Sequence, residues 1–223
     1  MRSARLVTIG LFSITLLVVG CSTTRQARNV ETHGFLGDYS RLVEGKEDQA
    51  QLTYIDKSAS FSKYDAVMID SVTLWRSKAT SEISAEDQQM LTDYLYKAIH
   101  DQLSKDFRIV DRPGPGVLRI RAAVTEAVGA NVVGNAVTSV IPQARVLSTL
   151  GGLAADSAMM AGSAAIEGEI TDSLSGRRLL AAVDQRLGNK TLRGAFGKWS
   201  NVEKAFDYWA ERLRTRLAEL RAS

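Results

Sequence analysis

The apolar positions of this chain change rhythm several times, and each change marks an element. "YDAVMIDSVTLW" (64–75) opens as a nearly continuous apolar run, the pattern of a central strand. From Ser84 the period lengthens: Leu91, Tyr94, Leu95, Ala98, Ile99 and Leu103 recur at helical spacing. Ser84 suits an N-cap, and Glu86 and Asp87 favour the first turn. "FRIVD" (107–111) reads as a strand and "RPGPG" (112–116) as a turn. "VLRIRAAVTEAV" (117–128) alternates, with Leu118, Ile120, Ala122 and Val124 on one face and Arg119 and Arg121 on the other. "SAAIEGEITDS" (163–173) alternates too, Ile166 and Ile170 against Glu167 and Glu169. "DSLSGRR" (172–178) is a hairpin loop, and "LLAAVDQRL" (179–187) is its return strand. A last helix follows. Ser200 and Glu203 form a capping box, and Val202, Phe206, Trp209, Leu213, Leu217 and Leu220 make an apolar stripe that places Trp209 in the core.

Two helices with one apolar face each need a common floor. The order predicts an α+β fold: a two-layer sandwich, with a small, mostly antiparallel sheet and two helices on one face. The Arg119/Arg121 and Glu167/Glu169 rows suit one another across neighbouring strands. They read as a solvated charge ladder and not as a catalytic acidic pair. His100 lies one place off the apolar stripe of its helix and reads as a flank residue.

Residues 128–163 break the pattern. They hold only two charges, Arg145 and Asp156, and are crowded with Gly, Ala, Ser and Val. Small residues repeat at four-residue spacing, which permits close approach of helices. Asn131, Asn135 and Pro142 interrupt any run long enough to span a bilayer. The segment reads as an apolar insertion to be covered by the sheet, by a partner or second copy, or by a membrane.

The first residues are of a different kind. Arg2 and Arg5 precede the apolar run "LVTIGLFSITLLVV" (6–19), the layout of a secretory signal. Leu17-Val18-Val19-Gly20-Cys21 resembles a bacterial lipobox. It implies cleavage between Gly20 and Cys21 and acylation of Cys21, the chain's only cysteine. Two or three acyl chains anchor firmly where one does not. Ser22 after the acylated residue implies an outer membrane and a domain facing the periplasm, or the cell membrane in a host with no outer membrane. The expected organisation is a lipoprotein signal peptide at 1–20, a lipidated tether at 21–33, and one domain at 34–223 carrying the insertion. "HGFLGDYSRLVEG" (33–45) places Phe35, Leu36, Tyr39 and Leu42 as apolar anchors of a short helical turn docked on that domain.

Charge and chemistry narrow the function. Of 223 residues, 45% are hydrophobic and 24% charged, which suits a folded domain. The formal charge is 28 − 25 = +3, and without Arg2 and Arg5 it is 26 − 25 = +1. With no dense basic run, nucleic acid is not an expected partner. His33 and His100 are the only histidines, so no metal site built on Cys and His is expected, and no cofactor. Neither a nucleophile elbow nor a zinc-protease motif occurs. The P-loop spacing of Gly129 and Gly134 lacks its lysine.

"GFLGDYSRLVEG", "VIPQARVLST" and "AAIEGEITDSLSGRRLLAAVDQRLG", with the tryptophan-bearing last helix, resemble a family of bacterial lipoproteins catalogued as domain of unknown function 3313. The resemblance implies a periplasm-facing lipoprotein and brings no catalytic residue. The expectation is therefore a non-catalytic, outer-membrane-anchored lipoprotein that binds an envelope partner or itself. The alternatives are an envelope enzyme acting on lipid, glycan or peptide, and a membrane-associated oligomer built through 128–163.

Overall fold

The computed structural model describes residues 24–27, 29–75, 77, 80–130, 162–188 and 197–223. Three long strands form the centre: β7 (Val117–Val128), β8 (Ser163–Asp172) and β9 (Arg178–Gly188), antiparallel in sequence. The hairpin at 172–178 joins β8 to β9 as its composition predicts. Asp172 Oδ1 accepts from Ser175 N at 2.9 Å and Leu174 N at 3.2 Å, and Gly176 adopts a φ of 68° that a side chain would resist.

Short strands complete a nine-stranded sheet on both edges. β4 (Ala66–Ile69) and β5 (Thr73–Leu74) pair with β7, and β6 (Arg108–Ile109) pairs with β4, all three in parallel. The reason is α1 (Ala85–Leu103), a crossover helix after β4, because a crossover returns the chain in the same direction. The sheet is thus mixed but mostly antiparallel, as expected, with more strands than the sequence reading supplied. On the other edge β9 receives β3 (Leu52–Ile55) and β1 (Thr24–Gln26), and β2 (Val43–Glu44) extends β3.

The helices α1 and α2 (Ser200–Ala222) both pack on one face, as the amphipathic stripes require. Leu91, Leu95, Ile99 and Leu103 of α1 meet Phe206, Ala210 and Leu217 of α2 over Leu118, Ile120, Val124 and Ile170. Ser84 Oγ accepts from Asp87 N at 3.2 Å, so the α1 cap is as read. The α2 cap is not. The helix begins at Ser200 with Trp199 in the capping position, and the Ser200 hydroxyl, buried, makes no hydrogen bond among the described residues. Tertiary contacts override the local motif here: the buried Trp199 ring donates Nε1 to Asp87 Oδ1 at 2.9 Å and pins the start of α2 to that of α1. Trp209 is half-buried, at the border of the core and not inside it.

The opposite face is covered too. Residues 30–42 form a strap of turns, not the helical turn expected, whose Leu36 is buried with Tyr54, Ala181 and Val183. Phe35, Tyr39 and Leu42 pack around this second, smaller core. The stretch read as a tether is docked over part of its length, since Thr24–Gln26 pairs with Arg186–Gly188.

Candidate functional site

The strap covers part of the charged face of the sheet. Glu167 and Glu169 of β8 are buried, so the acidic half of the expected solvated ladder is not solvated, while Arg119 is exposed and Arg121 half-buried. Nor is it a regular ladder. Arg121 stands opposite Glu169 and pairs with it at 2.6 Å. Arg119 stands opposite Thr171 and instead grips Asp70 through two nitrogens, at 2.8 and 3.0 Å. Glu167 stands opposite Ala123 and turns to the strap.

There Glu167 accepts from the backbone N–H of His33 at 2.5 Å and from the Tyr39 hydroxyl. The His33 ring Nδ1 lies 3.6 Å away, within range for charge attraction but beyond a hydrogen bond. Burial pushes the Glu167 carboxyl up, and the His33 and Tyr39 contacts outweigh it and hold it below the usual range. The carboxylate in turn raises His33 above 6.5, against the opposing effect of burial. Burial and Glu167 push the Tyr39 phenol up to about 12. Trp75 Nε1 closes the group by donating to the His33 carbonyl at 2.8 Å. A carboxylate with no exposed surface cannot meet a substrate; this cluster fastens the strap.

Beside it lies an open pocket of about 420 Å³. Arg41 of the strap, Arg119 and Arg121 of β7 and Arg178 of β9 line it, with Asp38 and Glu169. Each guanidinium is held. Glu169 takes Arg121 and also Arg178 Nε at 2.7 Å. Arg178 further donates to the carbonyls of Leu36 and Asp38, both at 2.7 Å. The Arg41 guanidinium lies 4.1 Å from the Tyr54 ring centroid, and that of Arg121 lies 5.1 Å from Phe35. The sequence offered Arg119, Arg121 and Glu169 as a face. It offered no sign that Arg41 and Arg178 join them, because strap and hairpin are remote in sequence.

A second hollow, about 390 Å³, lies under α2 on the helix side. Ala122, Gly168 and Ala182 stand in register across three strands and leave its floor low. Ile55, Ile166 and Leu213 wall it, and Trp209 closes one edge by donating Nε1 to the buried Asp184 Oδ2 at 2.7 Å. Burial raises the Asp184 carboxyl, against the pull of its hydrogen bonds.

One end of the sheet gathers the remaining features. Thr24 begins β1 opposite Gly188, held by the buried Arg186, which donates Nε to Thr24 Oγ1 at 2.8 Å and stacks on Tyr208. Val128 and Ser163, between which 131–161 runs, stand opposite each other at this same end. Gly162 takes a φ of 85° there, and a Cβ on it would lie 2.8 Å from the Val128 carbonyl. Gly20 and Cys21 lie outside the described residues, as does 131–161 of the expected insertion. His100 is a half-buried flank residue of α1, stacked on Tyr96 with ring centroids 6.3 Å apart. Among the described residues no cluster of three His, Cys, Asp or Glu is placed to hold a metal, and no helix is long and apolar enough to cross a membrane.

A family model described as "Protein of unknown function (DUF3313)" matches residues 31–213. The resemblance read from the strap and hairpin motifs is thereby borne out. No curated protein matches the chain. Among solved structures it is similar to the PelC dodecamer from Paraburkholderia phytofirmans, at 12% identity and a TM-score of 0.40, covering 73% of this chain and 94% of that one. It is also similar to the hypothetical protein CT253 from Chlamydia trachomatis, at 8% identity and a TM-score of 0.40, covering 70% and 99%. Likenesses of this size speak to neither ligand nor assembly.

Proposed function

The chain belongs to the DUF3313 family, whose function is unknown, and we propose that it serves the bacterial envelope as a non-catalytic, lipid-anchored binding protein held close against its membrane. One observation supports this most: the first described strand, β1, starts at Thr24, three residues after Cys21 in the sequence. Three residues span at most about 10 Å, whatever their conformation. An acylated Cys21 would therefore seat the β1 end of the sheet on the bilayer and leave the 172–178 hairpin end facing away from it. The lipobox-like sequence and Ser22 favour the outer membrane, with the domain in the periplasm.

The reading is tested in cells. Wild-type protein should fractionate with the outer membrane, and its N-terminal peptide should carry diacylglycerol and amide-linked acyl mass on Cys21. Cys21→Ala should leave an unprocessed precursor. A mature wild-type chain without acyl mass would overturn the proposal.

A second reading has its own support. The low-charge segment 131–161 leaves and re-enters the domain at the end that the anchor would seat. That placement favours contact of the segment with the bilayer or with second copies standing on it.

A further inference from the structure

We propose that the arginine pocket on the strap face is a binding site for a phosphate ester presented from the side away from the anchor. Four guanidiniums converge from three separate parts of the chain on one opening of about 420 Å³. The lining groups carry four positive charges against two negative ones, Asp38 and Glu169, an excess of 4 − 2 = +2. Asp70, behind Arg119, lowers it to +1. Arg41 is held by the Tyr54 ring and hydroxyl and makes no salt bridge among the described residues, though it feels the charge of Asp38.

The geometry favours phosphate over carboxylate. A carboxylate has two oxygens and is saturated by one or two guanidinium forks, and Glu169 already fills that role for Arg121 and Arg178. The remaining donors of four arginines suit a group with more acceptor oxygens and one to two charges. The side chains are also fixed in advance by Glu169, Asp70, the Leu36 and Asp38 carbonyls and the Phe35 and Tyr54 rings. Little side-chain freedom is left to lose on binding.

Position decides the source. Glu169 lies six residues along β8 from Ser163, about 20 Å from the end that carries β1. The pocket adjoins the hairpin through Gly176. A headgroup of the anchoring bilayer is out of reach, and a phosphate on a soluble or polymeric envelope component is not.

This assignment rests on the reading of the chain as a binding protein, but its test does not depend on the anchor. The mature protein in neutral detergent is titrated calorimetrically with inorganic pyrophosphate and with chloride at matched ionic strength. Pyrophosphate should bind and chloride should not. Arg41→Gln should weaken pyrophosphate about tenfold, Arg41→Lys less, and Arg108→Gln not at all, since Arg108 pairs with Asp65 outside the pocket. Melting curves of each variant establish that it is folded. No binding, or equal weakening by Arg41→Gln and Arg108→Gln, would overturn the site. Repeating the titration in mixed micelles tests the source. Arg41-dependent binding of phosphatidylglycerol over phosphatidylcholine, with none of pyrophosphate, would overturn the assignment to a ligand remote from the membrane. A chain that binds pyrophosphate yet fractionates without acylation would sink the anchor reading and leave this one standing.

Discussion

At the scale of single residues, Glu167 carries the clearest consequence. It is a fully buried carboxylate whose hydrogen bonds reach only the strap, so strap docking titrates at both ends of the pH range. Glu167 is held below its unfolded pKa of about 4.5, so its contribution is present above that value and lost as pH falls through the folded one. His33 is raised above 6.5, so its contribution is complete below 6.5 and lost as pH rises through the folded value. Docking should be tightest between about pH 4.5 and 6.5. Proton NMR of His33 should give a pKa above 6.5, which Glu167→Gln should bring down. Tyr39→Phe removes a hydrogen bond to a charged acceptor and should cost about 1–3 kcal/mol. An unchanged His33 titration in the Glu167→Gln variant would mean that the carboxylate does not hold the strap. The alternation of Glu167 and Glu169 was legible in the sequence, and so were the strap's apolar anchors. That the anchors lie over the acids was not, because nothing local in either stretch says which face of the sheet the strap takes.

At the scale of elements, patterns with many repeats were legible and short ones were not. The turns of α1 and the alternation of β7, β8 and β9 each bury a full face, and their periods name them. β1, β2 and β3 have two to four residues: β1 falls in the stretch read as tether, β2 in the stretch read as a helical turn, and β3 in a stretch given no element. "LTYI" (52–55), rich in strand formers, was a signal that could have been used. The α2 stripe was read correctly, yet its Trp209 edge was placed too deep. α2 stands off the sheet where Ala122, Gly168 and Ala182 keep the floor low, so Trp209 borders a hollow. It adds a polar contact to its packing on the core: among the described residues it is one of three donors to the buried Asp184, with Gln26 Nε2 at 2.6 Å and Gln51 N at 3.2 Å. Trp209→Phe retains most of the apolar contact and strips the N–H. It should still destabilise by about 1–3 kcal/mol in urea unfolding, and raise the Asp184 carboxyl further. A Trp209→Phe variant as stable as wild type would place the helix's hold on the sheet in its apolar contacts alone.

At the scale of the whole molecule, the two sheet faces are already spoken for by α1 and α2 on one side and by the strap on the other. This changes the standing of the low-charge segment between β7 and β8. The sequence alone allowed it to cover an open sheet face, but the strap and the helices occupy the central part of both faces. Its ends stand at the sheet end that β1 also reaches, where an acylated Cys21 would meet the bilayer. Replacing 131–161 by a short Gly/Ser turn should therefore leave the fold nearly intact, with a melting temperature within a few degrees of wild type. Apolar surface of that length without its own cover is a liability in water. The replacement should change what the mature protein associates with: its mass in detergent by light scattering, or its retention on vesicles after the acyl anchor is removed. A large fall in melting temperature would return the segment to the domain's own core. A shortened protein with unchanged stability, mass and vesicle retention would leave its cover to a separate envelope protein, which crosslinking from positions 131–161 in living cells would then have to capture.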